Sequence, residues 1–151
     1  MSTTRDAWAV LAEVPDPEIP VVSVVDLGIV RRVRVEGERV EVTLTPTYTG
    51  CPATLPIREA VEVALRERFE RVSVNVALAP AWTTDWITPI GRERLEKFGI
   101  APPNPRENRP RVCPQCGSGD REPISEFGST PCKALYRCRA CREPFDYFKC
   151  L

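Results

Sequence analysis

Cys113-Pro114-Gln115-Cys116-Gly117 and, after a gap of twenty residues, Cys138-Arg139-Ala140-Cys141 decide the reading of this chain. Each is a C-x-x-C knuckle. Two knuckles bring four soft ligands to one tetrahedral zinc ion with little strain. Gly117 stands where the first knuckle needs a tight turn, and glycine is free to take the positive φ such a turn uses. The expectation is a closed, structural zinc ribbon over residues 112–151, with Cys113, Cys116, Cys138 and Cys141 as ligands. The competing reading is a pair of disulfides. A piece of about forty residues buries too little surface to fold without a metal or a crosslink.

Compartment decides between zinc and disulfides. The N-terminus has no apolar signal-like core, and no stretch approaches the length of apolar chain that spans a bilayer. Neither a secretory signal nor a membrane span is therefore expected. The chain is expected in the cytoplasm, where cysteines are more often metal ligands than disulfides. Among 151 residues there is no histidine, and the formal net charge is zero. Any mechanism using an imidazole of this chain is excluded, so metal chemistry must come from Cys, Asp, Glu or backbone. Residues 101–151 carry nine basic and six acidic side chains. That excess is too small for the dense basic patch of a nucleic-acid binder, and no nucleic-acid partner is expected.

Upstream, the pattern predicts a mixed helix–strand domain over residues 1–100. Thr3 and Asp6 resemble a capping box. A short helix should follow, with Trp8, Leu11 and Ala12 on one face, ending before Pro15. Asp16-Pro17-Glu18-Ile19-Pro20 reads as a rigid acidic loop. Val21 to Val30 reads as a turn or short helix entering a strand. Val33 and Val35, then Val40, Val42 and Leu44 across a turn at Gly37, alternate with polar residues as a hairpin with one buried face. A loop over residues 45–52 precedes a helix running to about Phe69, with Ile57, Val61, Ala64, Leu65 and Phe69 as its buried stripe. The helix starts near Leu55, or at Pro52 with a kink at Pro56. Val72, Val74, Val76 and Leu78 form a third strand. Trp82 and Trp86 are read as sealing the end of the sheet. A last helix spans about Pro89 to Phe98 and stops at Gly99. Residues 101–111, with four prolines and no periodicity, read as a linker.

Cys51 is the one cysteine of residues 1–100. It lies at or just before a helix start, whose amides and dipole favour a thiolate. A thiolate there could bind iron or zinc, or attack an electrophile; the bland alternative is a small buried apolar residue. Asp16, Glu18 and Asp26 could supply oxygen ligands beside it, or could simply cap turns. Cys132, next to Lys133, is a candidate second thiolate. Cys150 is expected to pack against the ribbon.

Three stretches resemble the small iron–sulfur assembly domain of SufT-like proteins: Asp16-Pro17-Glu18-Ile19-Pro20, Val25-Asp26-Leu27-Gly28-Ile29-Val30, and Thr45-Pro46 with Gly50-Cys51-Pro52-Ala53. The tail is similar to the PaaD family of phenylacetate catabolism. It carries Glu126-Phe127-Gly128-Ser129-Thr130, Cys132-Lys133-Ala134-Leu135-Tyr136-Arg137-Cys138 and Pro144-Phe145-Asp146-Tyr147-Phe148-Lys149-Cys150. The resemblance implies an α+β, two-layer iron–sulfur-assembly-like domain followed by a zinc ribbon. It also implies an accessory protein, not itself the catalyst, that helps mature a metal centre of a multicomponent phenylacetyl-CoA oxygenase. The implied cofactors are a structural Zn and transient Fe or Fe–S. The implied partners are the oxygenase components and iron–sulfur assembly proteins. A docking subunit working through its ribbon is the second expectation. A thiol enzyme using Cys51 is disfavoured, because no histidine can serve as its base.

Overall fold

Thr3 opens the first helix. Its hydroxyl accepts the N–H of Asp6, and the Asp6 carboxylate accepts the N–H of Thr3, so two otherwise orphaned donors are satisfied reciprocally. The computed structural model describes residues 2–48 and 50–150. Thr49, in the loop assigned ahead of Cys51, lies outside the described residues. The chain divides into two compact units, residues 1–88 and 89–151.

In the first unit, helix α1 (Thr4–Leu11) packs on helix α2 (Thr54–Arg66) and on strand β1 (Val30–Glu36). Its buried residues are Ala7 and Leu11, one helical turn apart; Trp8 is half-buried and Ala12 exposed. The buried face is thus rotated from the expected one. The small Ala7 permits close approach where an indole would not fit.

Strands β1 and β2 (Arg39–Leu44) form the expected antiparallel hairpin around Gly37, which has φ +59°. Val40, Val42 and Leu44 alternate inward on β2 and are essentially fully buried. Helix α2 then crosses over to β3 (Arg71–Val76), which lies parallel to β2, giving the order β1-β2-β3. Parallel neighbours require such a crossover. On α2, Ile57, Val61 and Leu65 are buried. The helix starts at Thr54, so Pro56 falls in its first turn. There an N–H has no intrahelical partner, and the proline causes no kink. Phe69 is buried in the turn beyond the helix. The alternation expected through Leu78 fades at an edge: Val74 is buried, but Val76 and Leu78 are exposed.

The second unit holds helix α3 (Pro89–Lys97) and a four-stranded sheet in the order β4-β7-β6-β5. Its strands are β4 (Ile100–Ala101), β5 (Arg121–Ser125), β6 (Lys133–Cys138) and β7 (Pro144–Phe148). Strand β4 runs parallel to β7, with Ile100 opposite Asp146 and Ala101 opposite Tyr147. The pattern places the end of the first domain at residue 100; this pairing instead groups α3 and β4 with the ribbon. The core is small: Ala101, Cys113, Ala134, Cys138, Phe145 and Tyr147, with Tyr136 packed against it. Tyr136 stacks on Phe145 and meets Tyr147 edge-on.

Residues 101–111 are not a free linker. Pro103, Asn104 and Pro110 are buried. The Asn104 N–H donates to Tyr147 Oη at 3.0 Å, and Tyr147 Oη donates to Asn108 Oδ1 at 3.3 Å. The Cys150 N–H donates to the same Asn108 oxygen at 2.8 Å. The polar network ties the stretch to β7, and proline content alone gives no sign of it.

Candidate metal centre

The four knuckle cysteines converge. All four Sγ atoms lie within 4.8 Å of one another. Cys113 and Cys141 sulfurs are 3.8 Å apart, and those of Cys116 and Cys138 are 3.5 Å apart. A tetrahedron with metal–sulfur bonds of about 2.3 Å has sulfur–sulfur edges of about 3.8 Å. The donor set thus fits a metal ion in both chemistry and spacing, and it does not fit bonded disulfides. Cys113 and Cys138 are buried, whereas Cys116 and Cys141 are exposed.

Local backbone builds each knuckle. The Gly117 N–H donates to the Cys113 oxygen at 2.8 Å, with Gly117 at φ +78°. The Gln115 N–H points at Cys113 Sγ, 3.3 Å away. In the second knuckle the Cys141 N–H points at Cys138 Sγ, 3.5 Å away. Here Arg142, also one residue past the last ligand, takes φ +67°. Sequence reasoning finds the glycine and misses its counterpart, because an arginine gives no sign of a left-handed turn. Backbone N–H groups aimed at sulfur stabilise thiolate. The Cys141 N–H is the largest influence pulling the Cys138 thiol down to about 7. For Cys141 the Glu143 backbone is the largest influence and acts downward. Burial and the neighbouring Cys138, Cys116 and Cys113 sulfurs together outweigh it and push that thiol up to about 12.

Cys51 belongs to the first unit. It is buried in the turn that leads to α2. Its N–H donates to the Tyr48 oxygen at 3.2 Å, and its carbonyl accepts the Thr54 N–H at 3.1 Å. Gly50 before it has φ +79°. The N-cap of α2 is Ala53, which offers no side-chain acceptor to the first amides.

The acidic residues named beside Cys51 have turn work to do. Asp16 Oδ1 accepts the N–H groups of Glu18 and Ile19 at 2.8 and 2.9 Å. Asp26 Oδ2 accepts the Ser23 N–H at 2.9 Å, and Ser23 Oγ accepts the Asp26 N–H at 3.0 Å. Both aspartates are buried. Among the described residues, the four-cysteine set is the only group of three or more Cys, Asp or Glu ligands close enough to hold a metal ion. Asp16, Glu18, Asp26 and Cys51 do not form such a group. Cys132 belongs to the second unit, where it is buried with Thr130 Oγ1 3.0 Å from its sulfur. The adjacent Lys133 ammonium is directed to Asp146, 4.0 Å away.

The segment Asp26-Leu27-Gly28 carries a further role that the sequence does not disclose. The Thr88 N–H and hydroxyl donate to the Asp26 oxygen. The Trp82 indole N–H donates to the Leu27 oxygen at 2.8 Å. Gly28 lies against Trp86, and the Arg31 guanidinium covers the Trp86 ring at 3.5 Å. Both tryptophans are thus anchored by the turn that precedes β1.

The two halves of the chain match two family models. Residues 4–78 match that of an iron–sulfur cluster assembly protein, and residues 102–149 match the PaaD zinc beta ribbon domain. An assembly-type α+β module joined to a zinc ribbon is the class these matches define. The chain belongs to the PaaD family: it is 52% identical, over 156 aligned positions, to a putative subunit of the 1,2-phenylacetyl-CoA epoxidase of Escherichia coli K12. That alignment covers 97% of this chain and 93% of the relative. Two solved structures share the first fold. A domain of unknown function, DUF59, from Bacillus anthracis matches with TM-score 0.57 and 28% identity, over 61% of this chain and 90% of that one. A conserved hypothetical protein from Thermotoga maritima matches with TM-score 0.53 and 31% identity, over 65% and 95%.

Proposed function

We propose that this chain is a cytoplasmic accessory factor of a multicomponent phenylacetyl-CoA oxygenase in phenylacetate catabolism. In this reading it matures the oxygenase's metal centre by handling iron or an iron–sulfur cluster transiently, and it is not the catalyst. Its partners are the oxygenase components and the iron–sulfur assembly proteins that supply the cargo. The relationship to an epoxidase subunit and the assembly-type module over residues 4–78 support this reading.

The observation that carries it is the setting of Cys51. Its thiol lies in the turn before a helix whose N-cap has no side-chain acceptor. A single soft ligand outside any closed cage suits exchangeable cargo better than a four-thiolate site, which holds its metal as part of the fold. Asp16 and Asp26 act here by fixing the neighbouring turns. Cys113, Cys116, Cys138 and Cys141 hold a structural zinc, and no reaction passes through it.

The test produces the oxygenase with wild-type protein, with Cys51→Ala and with none, and measures its bound iron and turnover. Both fall in the second and third preparations if Cys51 carries cargo. Full iron and turnover with Cys51→Ala would reject that role.

A second reading is a docking subunit working through its ribbon. What favours it is that no set of three ligands forms around Cys51 among the described residues. Stoichiometric co-purification with the oxygenase, unaffected by Cys51→Ala, is its signature.

A further inference from the structure

The stretch 103–111 and the start of β5 enclose an open groove of about 630 Å³. Its walls are Pro103, Pro105, Arg106, Glu107, Arg111 and Arg121. A second cleft of about 380 Å³ shares Pro103 and Arg111, and adds Arg92 and Glu96. The charges are unbalanced where they face solvent. Glu107 is held by Arg109 at 2.9 Å and by Arg121 at 3.6 Å, and the Arg109 hydrogen bond keeps its carboxyl below the usual range. Arg121 is mostly buried and also donates to the backbone oxygens of Pro110 and Gly119. Arg106 and Arg111 are exposed, and among the described residues their guanidinium groups have no ion pair.

We propose that this groove receives an acidic peptide segment of a protein partner, with its carboxylates held by Arg106 and Arg111. A guanidinium matches a carboxylate with two parallel N–H bonds. The exposed Pro105 offers a flat apolar surface to an extended chain. The groove is set in advance. Asn104 is bonded to Tyr147 and to the Arg109 oxygen, and Asn108 to Tyr147 and Cys150. Little ordering is therefore left for the moment of binding. A phosphate would be the competing anion. Phosphate sites gather backbone N–H groups at glycine-rich turns or helix starts, and the lining residues include no glycine. The inference goes beyond the maturation reading and stands whether or not Cys51 carries iron.

The test titrates the full, metal-loaded chain into a fluorescently labelled oligoglutamate peptide at low salt and follows anisotropy. Wild-type protein binds, and binding weakens as salt is raised. Arg106→Glu/Arg111→Glu weakens it by about tenfold, whereas the matched reversal Arg5→Glu/Arg58→Glu leaves it unchanged. Arg106→Gln/Arg111→Gln, which removes donors without adding repulsion, shows a smaller loss in the same direction and covers the case in which the reversal disturbs folding. No binding by the wild type, equal binding by all variants, or displacement of the peptide by an equal concentration of inorganic pyrophosphate would overturn the proposal.

Discussion

A Cβ added to Gly28 would lie 2.4 Å from the backbone oxygen of Trp86 and 2.7 Å from its Cβ. No side chain fits that gap, and Gly28 also sits at φ +71°, where an L side chain is strained. Two independent constraints therefore select glycine between Leu27 and Ile29. Gly28→Ala should destabilise the first unit by about 2–4 kcal/mol, since both the clash and the backbone conformation act against it. Urea denaturation followed by tryptophan fluorescence reads this directly, because Trp82 and Trp86 both pack on the affected turn. A loss below about 0.5 kcal/mol, the range of ordinary surface substitutions, would show that Trp86 moves aside freely.

Removal of the ribbon metal should unfold the second unit selectively. Its core contains two of the four cysteines and few large side chains. A chelator under reducing conditions should abolish the dispersion of β5–β7 amide signals in NMR spectra. The β1–β3 signals should persist. Cys113→Ser should do the same without chelator. A ribbon that stays folded without metal would mean that its apolar core suffices.

Tyr147→Phe tests the tie between the proline-rich stretch and β7. The substitution removes the acceptor of the buried Asn104 N–H and the donor to Asn108. An unsatisfied buried donor costs about 1–3 kcal/mol. The expected result is that loss in stability, with faster proteolysis within residues 103–111. Burial raises the Tyr147 phenol above its usual range, so it remains a donor at any pH where the protein is handled.

Asp6 should give α1 an acid-sensitive start. The Thr3 N–H, and then the Thr3 hydroxyl, hold its carboxyl below its ordinary value of 3.8. A depressed folded-state pKa means that the folded state binds the proton less readily than the unfolded one. Its contribution is thus present above the unfolded pKa and lost as pH falls through the folded one. Asp6→Asn should flatten the stability profile below about pH 4 and leave its slope at neutral pH unchanged. An unaltered acid limb in the variant would remove Asp6 from the account.

The sequence carries some of this structure openly. Paired knuckles, the alternation of Val40, Val42 and Leu44, and the stripe of Ile57, Val61 and Leu65 are local patterns, and each becomes the element its period dictates. Part of what stays hidden depends on partners far away along the chain, and part on local choices that the same letters leave open. Pro103, Asn104 and Pro110 look like linker residues, because the phenol that orders them lies about forty positions later. Asp16 and Asp26 look like ligands because carboxylates that cap turns and carboxylates that bind metal have the same letter. The start of α2 at Thr54 is ambiguous in sequence because a proline is harmless in a first turn and disruptive in a second.

Strand β4 pairs with β7, yet the two knuckles, β5 and β6 all lie between them in the chain. During translation β4 emerges from the ribosome early and must wait for its neighbour. Cys141 emerges before Pro144, so all four thiols are outside before the strand that completes the sheet. The connectivity therefore lets metal capture precede sheet closure, with the cage loaded on a sheet that still lacks its inner strand. The sheet of the first unit, complete at Val76, has no such delay.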